Sequence, residues 1–349
     1  MDPITVLHRI APEFLEIIDQ RYALLQTINF MGPVGRRTLS NNLNQSERTI
    51  RREVEFLQEQ GFISSSHAGM RLTEAGQQVL LDLEDYIREI RGLADLELEL
   101  KNILQVNKVL IVPGNSDVDP MVKKDLAKVT SRYLRSVLKD GDILAVTGGS
   151  TLAEVADSFA SNGISKNVTV VPARGGLGED VNLQANSIAA KLAIGLGGAY
   201  RLLHAPDQVV PGVMETIVNE PLIRDVIALG RRAQVLLHGI GTAEEMARRR
   251  GLDEDLIMKL ITAGAVGEAF GYYFDKDGKI VYSTSSVGLR LEDLAKIPLI
   301  IAVGGGQSKA WAVWSVAKLG HCDVCITDEG AARRLINIFK NKEENSNGN

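Results

Sequence analysis

Apolar positions in the first hundred residues recur at helical spacing. Phe14, Leu15, Ile18, Tyr22, Leu25 and Ile28 predict a helix that Pro12 opens and Gly32-Pro33 closes. Leu39 and Leu43, followed by Ile50, Val54 and Leu57, predict a short helix, a tight turn at Asn44-Gln45, and a second helix capped by Ser46. Residues 61–72 then read as two short β pieces around Ser66-His67-Ala68-Gly69. Leu80, Leu83, Ile87 and Ile90 are spaced 3-4-3, and Leu93, Leu96, Leu100 and Ile103 repeat that spacing after a phase slip beside Gly92. They predict a connecting helix over 73–104. It either lies on its own domain or pairs as a short coiled coil, and periodicity does not choose between the two.

From residue 105 the period changes. Short β-rich runs at 108–112, 142–146, 168–171, 199–203, 234–237, 280–283, 298–303 and 323–327 alternate with helical stretches. Several are continuously apolar, as strands covered on both faces are. The expected fold is therefore α/β: a winged helix-turn-helix over 1–72, the connector 73–104, and a doubly wound parallel sheet over 105–340. The polar residues 341–349 are expected to be disordered.

Composition adds exclusions. No apolar run in the 349 residues approaches the ~20 needed to cross a membrane. With no signal-type segment and two cysteines, a cytoplasmic protein without a disulfide scaffold is expected. The net charge of −5 at first argues against a nucleic-acid partner. Its distribution reverses that. Residues 1–72 carry eight Arg, no Lys and eight acids, whereas residues 73–100 carry eight acids against two Arg, a net of −6. The acidity belongs to the connector.

Within the second predicted helix, Arg48, Thr49, Arg51, Arg52 and Glu55 fall opposite the apolar stripe. A helix-turn-helix whose second helix carries basic and hydroxyl side chains near its start is suited to a DNA major groove. Arg36, Arg37, Ser46, Arg48, Thr49, Arg51 and Arg52, with Arg71 near the wing, are the candidate DNA contacts. The competing view is a merely solvated helix face.

In the second half, four strands run into glycine loops, at 146–151, 171–178, 238–242 and 303–309. Such loops let backbone N–H groups approach an anion at a helix start, and in parallel sheets they gather at one edge. Arg174 and Lys309 would suit phosphate oxygens. Thr151 with Glu154 could instead form a capping box. Glu268, alone in the apolar stretch Gly264–Gly271, would be unfavourable near phosphate unless it accepts from ligand hydroxyls, so a sugar phosphate is favoured over bare phosphate. Arg248-Arg249-Arg250 either ends a helix in solvent or reaches a second phosphate. His321-Cys322-Asp323-Val324-Cys325 reads as structural cysteines, since no second pair completes a zinc or redox site.

With these residues in view, the chain resembles the SorC/DeoR-type bacterial transcription regulators, and among them those of central glycolytic genes. The likeness spans about residues 1–340. It is carried by the Arg-rich helix-turn-helix, Gly148-Gly149-Ser150-Thr151, Pro172-Ala173-Arg174-Gly175-Gly176, Gly267-Glu268-Ala269-Phe270-Gly271 and Gly306-Gln307-Ser308-Lys309. It implies a winged-helix repressor of a glycolytic operon, tetrameric (a dimer of dimers) on operator DNA. It implies an effector domain with the fold of sugar-phosphate isomerases and no cofactor. The inducer so implied is fructose 1,6-bisphosphate, acting allosterically through Gly148, Gly149, Ser150, Thr151, Arg174, Gln184, Arg249, Glu268 and Lys309. On that basis Arg174→Ala should abolish the effector response and spare operator binding. The alternative is a sugar-phosphate isomerase or deaminase with an accessory domain. Such enzymes use an acid after a glycine loop as base. Here Gly239-Ile240-Gly241-Thr242-Ala243-Glu244 carries Thr-Ala where they carry Asp-Gly. A dimeric scaffold without a ligand is the third possibility.

Overall fold

The structure, a computed structural model, describes residues 10–159, 166–177, 180–209 and 211–347. The chain divides into two compact units, Met1–Ala94 and Asp95–Asn349.

In the first unit, α1 (Pro12–Met31), α2 (Arg36–Leu43) and α3 (Glu47–Glu59) are followed by a hairpin of β1 (Ile63–Ser66) and β2 (Gly69–Leu72) and by α4 (Glu74–Ile90). Tyr22, Leu25, Ile28, Leu39, Ile50, Val54, Leu57, Ile63, Met70, Leu80 and Ile87 form one core. Phe14, expected in that stripe, is exposed. Asn44 ends α2 in the left-handed region at φ 49°, and Ser46 Oγ accepts from Thr49 N at 3.1 Å to start α3. Those two caps fix the tight turn. Glu53 is buried in α3 and takes ion pairs from Arg21 of α1 at 3.0 Å and from Arg52 at 2.9 Å. Burial would raise the Glu53 carboxyl, but hydrogen bonds from Arg21 and Arg52 outweigh it and hold the group below its ordinary value.

The connector is not one helix. Gly92, at φ 61°, separates α4 from α5 (Leu93–Leu104). Leu80 and Ile87 of α4 are absorbed by the core of the first unit, so no coiled coil is needed to bury them.

The second unit is built on β3 (Lys108–Val112), α6 (Pro120–Val137), β4 (Ile143–Val146), α7 (Ser150–Phe159), β5 (Thr169–Pro172), α8 (Ala185–Leu196), β6 (Ala199–Tyr200), α9 (Pro211–Asn219), α10 (Pro221–Gly230) and β7 (Val235–Gly239). It continues through β8 (Gly241–Thr242), α11 (Ala243–Arg249), α12 (Glu254–Thr262), β9 (Ala265–Ala269), β10 (Tyr272–Asp275) and β11 (Ile280–Ser283). After α13 (Leu291–Leu294), it closes with β12 (Leu299–Val303), α14 (Ala310–Ala317), β13 (Val324–Asp328) and α15 (Glu329–Asn347).

Seven strands pair in the order β3-β13-β12-β7-β4-β5-β6, all parallel. Leu144 and Val146 face one side of β4 and Ala145 the other, and all three are fully buried, so both faces are covered. From β4 the chain winds outward through β5 and β6; from β7, its other neighbour, it winds the opposite way through β12 and β13. The reversal opens a crevice at the carboxyl ends of β4 and β7, where open α/β sheets bind ligands.

Several expectations are corrected. The 280–283 run is β11, and it belongs to a separate antiparallel sheet, β11-β10-β9-β8. Only Ala199–Tyr200 of the 199–203 run pairs, at the sheet edge. Helix α7 starts at Ser150, which places Thr151 in its first turn rather than at a cap. The segment expected to be a disordered tail continues α15 as far as Asn347. Residues 348–349 lie outside the described residues.

Candidate functional site

All nine residues named as effector contacts line one cavity at the switch point: Gly148, Gly149, Ser150, Thr151, Arg174, Gln184, Arg249, Glu268 and Lys309. They come from the ends of β4 and β5, the start of α8, the end of α11, strand β9 and the loop after β12.

The loop after β4 is built for a close approach. A Cβ on Gly148 would lie 2.6 Å from Leu183 O, and Gly149 sits at φ 129°, in the region that favours glycine. The loop delivers Ser150 and Thr151 at the start of the ten-residue α7, whose first N–H groups are a ready anion site. Lys123 of α6, which the sequence did not single out, donates to Ser150 Oγ at 3.3 Å and adds a cation beside the loop. Gln184 accepts from Leu177 N at 3.1 Å through Oε1, tying the loop after β5 to the start of α8.

Arg174 is not held out toward a ligand. It is buried, within 2.5 Å of Asp207 and 3.3 Å of Glu268. Arg250, from just after α11, reaches the same two carboxylates at 3.2 Å and 3.0 Å and the Tyr273 hydroxyl at 3.3 Å. Two guanidiniums and two carboxylates give a cavity floor without net charge. Burial lowers the Arg174 guanidinium from its ordinary value. At Arg250 burial pulls the same way, but Glu268 and Asp207 outweigh it and raise the group. A lost effector response in Arg174→Ala would therefore have two possible origins, because the variant also leaves Arg250 facing both Asp207 and Glu268 without its partner guanidinium.

The three consecutive arginines have three fates. Arg248 pairs with Glu244 and Glu254 on the surface, Arg249 lines the cavity, and Arg250 is buried in its floor. Lys309 stands at the rim, 3.8 Å from Glu245, with about a fifth of its side chain exposed (21%). The backbone N–H groups of Gly306, Gln307 and Ser308 are already bound by Asp328, Asn115 and Asp117. From that loop Lys309 is therefore the group offered to the cavity.

His238, at the end of β7, also lines the cavity. Burial pushes its imidazole down to about 4. The unfolded chain takes up a proton near pH 6.5, whereas the folded protein resists until about pH 4. Stability is therefore full above pH 6.5 and falls as the pH drops toward 4. Urea unfolding between pH 7 and pH 5 should show this loss, and a His238→Phe variant should show a shallower one. Equal slopes would assign the loss to other groups.

In the first unit, Arg36, Arg37, Arg48, Arg51, Arg52 and Arg71 are exposed and Thr49 is half-buried. Arg51 is tied to Glu55 at 2.7 Å, and Ser46 is engaged as a cap, bonding both Thr49 N and Thr49 Oγ1. The cysteines carry no such chemistry. Burial pushes the Cys322 thiol up to about 12 and Cys325 well above its ordinary value, and no metal-holding group is present among the described residues. No described helix is long and apolar enough to cross a membrane.

Comparison with known proteins agrees with this division of labour. Residues 17–87 match the family described as "CggR N-terminal DNA binding domain", and residues 88–337 match the one described as "Putative sugar-binding domain". The chain is 42% identical over 328 residues to the central glycolytic genes regulator of Bacillus subtilis, covering 94% of this chain and 96% of that one. It is 41% identical over 337 residues to that of Priestia megaterium, covering 96% and 98%. The chain belongs to the central glycolytic genes regulator family. It is accordingly a transcription regulator with a DNA-binding and a sugar-binding domain, and not an enzyme, as its relatives are named regulators. Among solved structures, a chain titled as a putative SorC family transcriptional regulator of Enterococcus faecalis is 37% identical, with a TM-score of 0.64, covering 69% of this regulator and 99% of that chain. The full-length sorbitol operon regulator SorC of Klebsiella pneumoniae shares the fold at 16% identity, with a TM-score of 0.65 and coverage of 96% and 99%.

Sequence reasoning missed Asp207, His238, Glu245 and Lys123, and it placed Arg250 with its neighbours in solvent or on a second phosphate rather than in the cavity floor. Neither Asp207 nor the burial of Arg250 carried a local signal, because each acquires its role from partners far away in the chain.

Proposed function

We propose that this regulator represses glycolytic genes from the cytoplasm and that a phosphorylated sugar, fructose 1,6-bisphosphate, weakens or remodels its hold on the operator. The observation that carries this reading is the polarity of the cavity. Its rim holds the α7 N-terminus, Lys309 and Arg249, all suited to phosphate, while its floor holds a carboxylate suited to hydroxyls. Residues 1–72 hold the operator through α3 in the major groove, with Arg48, Thr49, Arg51 and Arg52 as contacts, Arg36 and Arg37 beside them, and Arg71 on the wing. The assembly on DNA is a dimer of dimers. Effector binding changes operator affinity through linkage: a ligand that prefers one quaternary arrangement shifts the population toward it.

The deciding experiment is a titration of operator binding, followed by fluorescence anisotropy on DNA selected by the protein itself. Fructose 1,6-bisphosphate should change affinity or complex size, and operator affinity should fall with salt. An unchanged isotherm with the bisphosphate, beside a response to another phosphosugar, would reassign the effector. Silence to every phosphosugar would remove the proposal.

A further inference from the structure

We propose that His238 is a ligand-binding residue of this cavity, and that with Glu268 it forms a pair of hydrogen-bond acceptors reading the hydroxyls of a sugar. The inference rests on the phosphosugar reading above and adds what distinguishes one phosphosugar from another.

The argument begins with which imidazole nitrogen carries the proton. His238 Nδ1 lies 3.2 Å from Gly239 O. A carbonyl oxygen only accepts, so Nδ1 is the protonated nitrogen and Nε2 presents a lone pair. Among the described residues nothing donates to Nε2, although His238 is only 2% exposed and borders the cavity. The Phe270 ring, tilted at 5.1 Å, packs against the imidazole. Burial keeps the ring neutral near pH 7.

Glu268 repeats the pattern. Arg174, Arg250 and Gly271 N all address its Oε1. Oε2 has no protein partner among the described residues, in a side chain that is 5% exposed and also borders the cavity. Two acceptors without protein donors among the described residues thus border one space, on side chains that are otherwise almost wholly buried. A phosphate, whose oxygens mainly accept, would set lone pairs against lone pairs there. Alcohol O–H groups supply the missing donors. The cavity therefore takes phosphate at its cationic rim and hydroxyls at its floor. Sites built to hydrogen-bond an OH discriminate strongly against analogues lacking it, because their own buried groups are left unpaired.

The test is calorimetric binding to the full-length protein. The probes are fructose 1,6-bisphosphate, the same bisphosphate with single hydroxyls removed, and inorganic phosphate. For the wild type, one deoxy analogue should bind about tenfold more weakly or worse. His238→Phe should bind the complete sugar with a similar loss, should not distinguish that analogue from it, and should bind inorganic phosphate as the wild type does. Should the variant fold poorly, ¹⁵N imidazole resonances of the wild type give the same answer: the Nε2 signal of His238 should move with the bisphosphate and not with inorganic phosphate. A His238→Phe variant that keeps the wild-type ratio for every analogue, or an unmoved Nε2 signal in sugar-saturated protein, overturns the role of His238 alone. A wild type that binds no phosphosugar overturns the proposed effector and this inference together.

Discussion

Replacing Arg250 with methionine is expected to lower the stability of the sheet domain by about 3–5 kcal/mol, the range for removing one partner of a buried ion pair. Arg250 is almost wholly buried, with 2% of its side chain exposed, and it neutralises both Asp207 and Glu268. Methionine fills similar space but leaves Arg174 facing two carboxylates. The excess negative charge then sits among almost wholly buried groups, where it is weakly screened. Urea unfolding near pH 7 measures the loss. Arg248→Ala serves as the contrast: its pairs with Glu244 and Glu254 are on the surface, and it should leave the midpoint unchanged. A wild-type midpoint for Arg250→Met would mean that the floor is not held together by these charges.

The second expected result concerns response rather than stability. Joint replacement of Arg249 and Lys309 by methionine should weaken binding of a phosphosugar by about 10²–10⁴-fold, taking ~1.5–3 kcal/mol for each charge-assisted hydrogen bond removed. The partner Lys309 gives up is Glu245, itself about half exposed, so the Lys309 replacement should disturb folding little. Operator binding without effector should stay within about twofold of wild type, since neither residue lies in the helix-turn-helix unit. Release of operator at the wild-type effector concentration would place the phosphate elsewhere. This double variant replaces Arg174→Ala as the clean test, because Arg174 also holds the floor together.

The parts legible in the sequence were those with a local physical signature. Apolar periodicity located α1 to α4, because an amphipathic helix must repeat its buried face every 3.6 residues. Continuous apolar runs located the parallel strands, since β4 and β7 are buried on both faces. Glycine loops located the cavity wall, because Gly148 leaves no room for a Cβ. The antiparallel sheet escaped because β9 carries Gly267 and Glu268 side by side and β8 is only two residues long, so neither shows an alternating pattern. The single connector escaped as two helices because a phase slip and a helix break leave the same mark in a periodicity.

Patterns along the chain suffice for a helix-turn-helix at one end, a parallel sheet with anion-suited loops at the other, and arginines sorted away from an acidic connector. Each follows from interactions between near neighbours in the chain. The tertiary structure alone decided which charges are available to a ligand. Arg174, Asp207, Arg250 and Glu268 come from four separate stretches of the chain and meet only when the ends of β5 and α11, the loop after β6 and strand β9 converge. Burial there ties Arg174 to Asp207 and Glu268, so a cation that lines the cavity also holds its floor together. Which side of an ion pair faces solvent is set by packing across the fold, and no spacing along the chain encodes it.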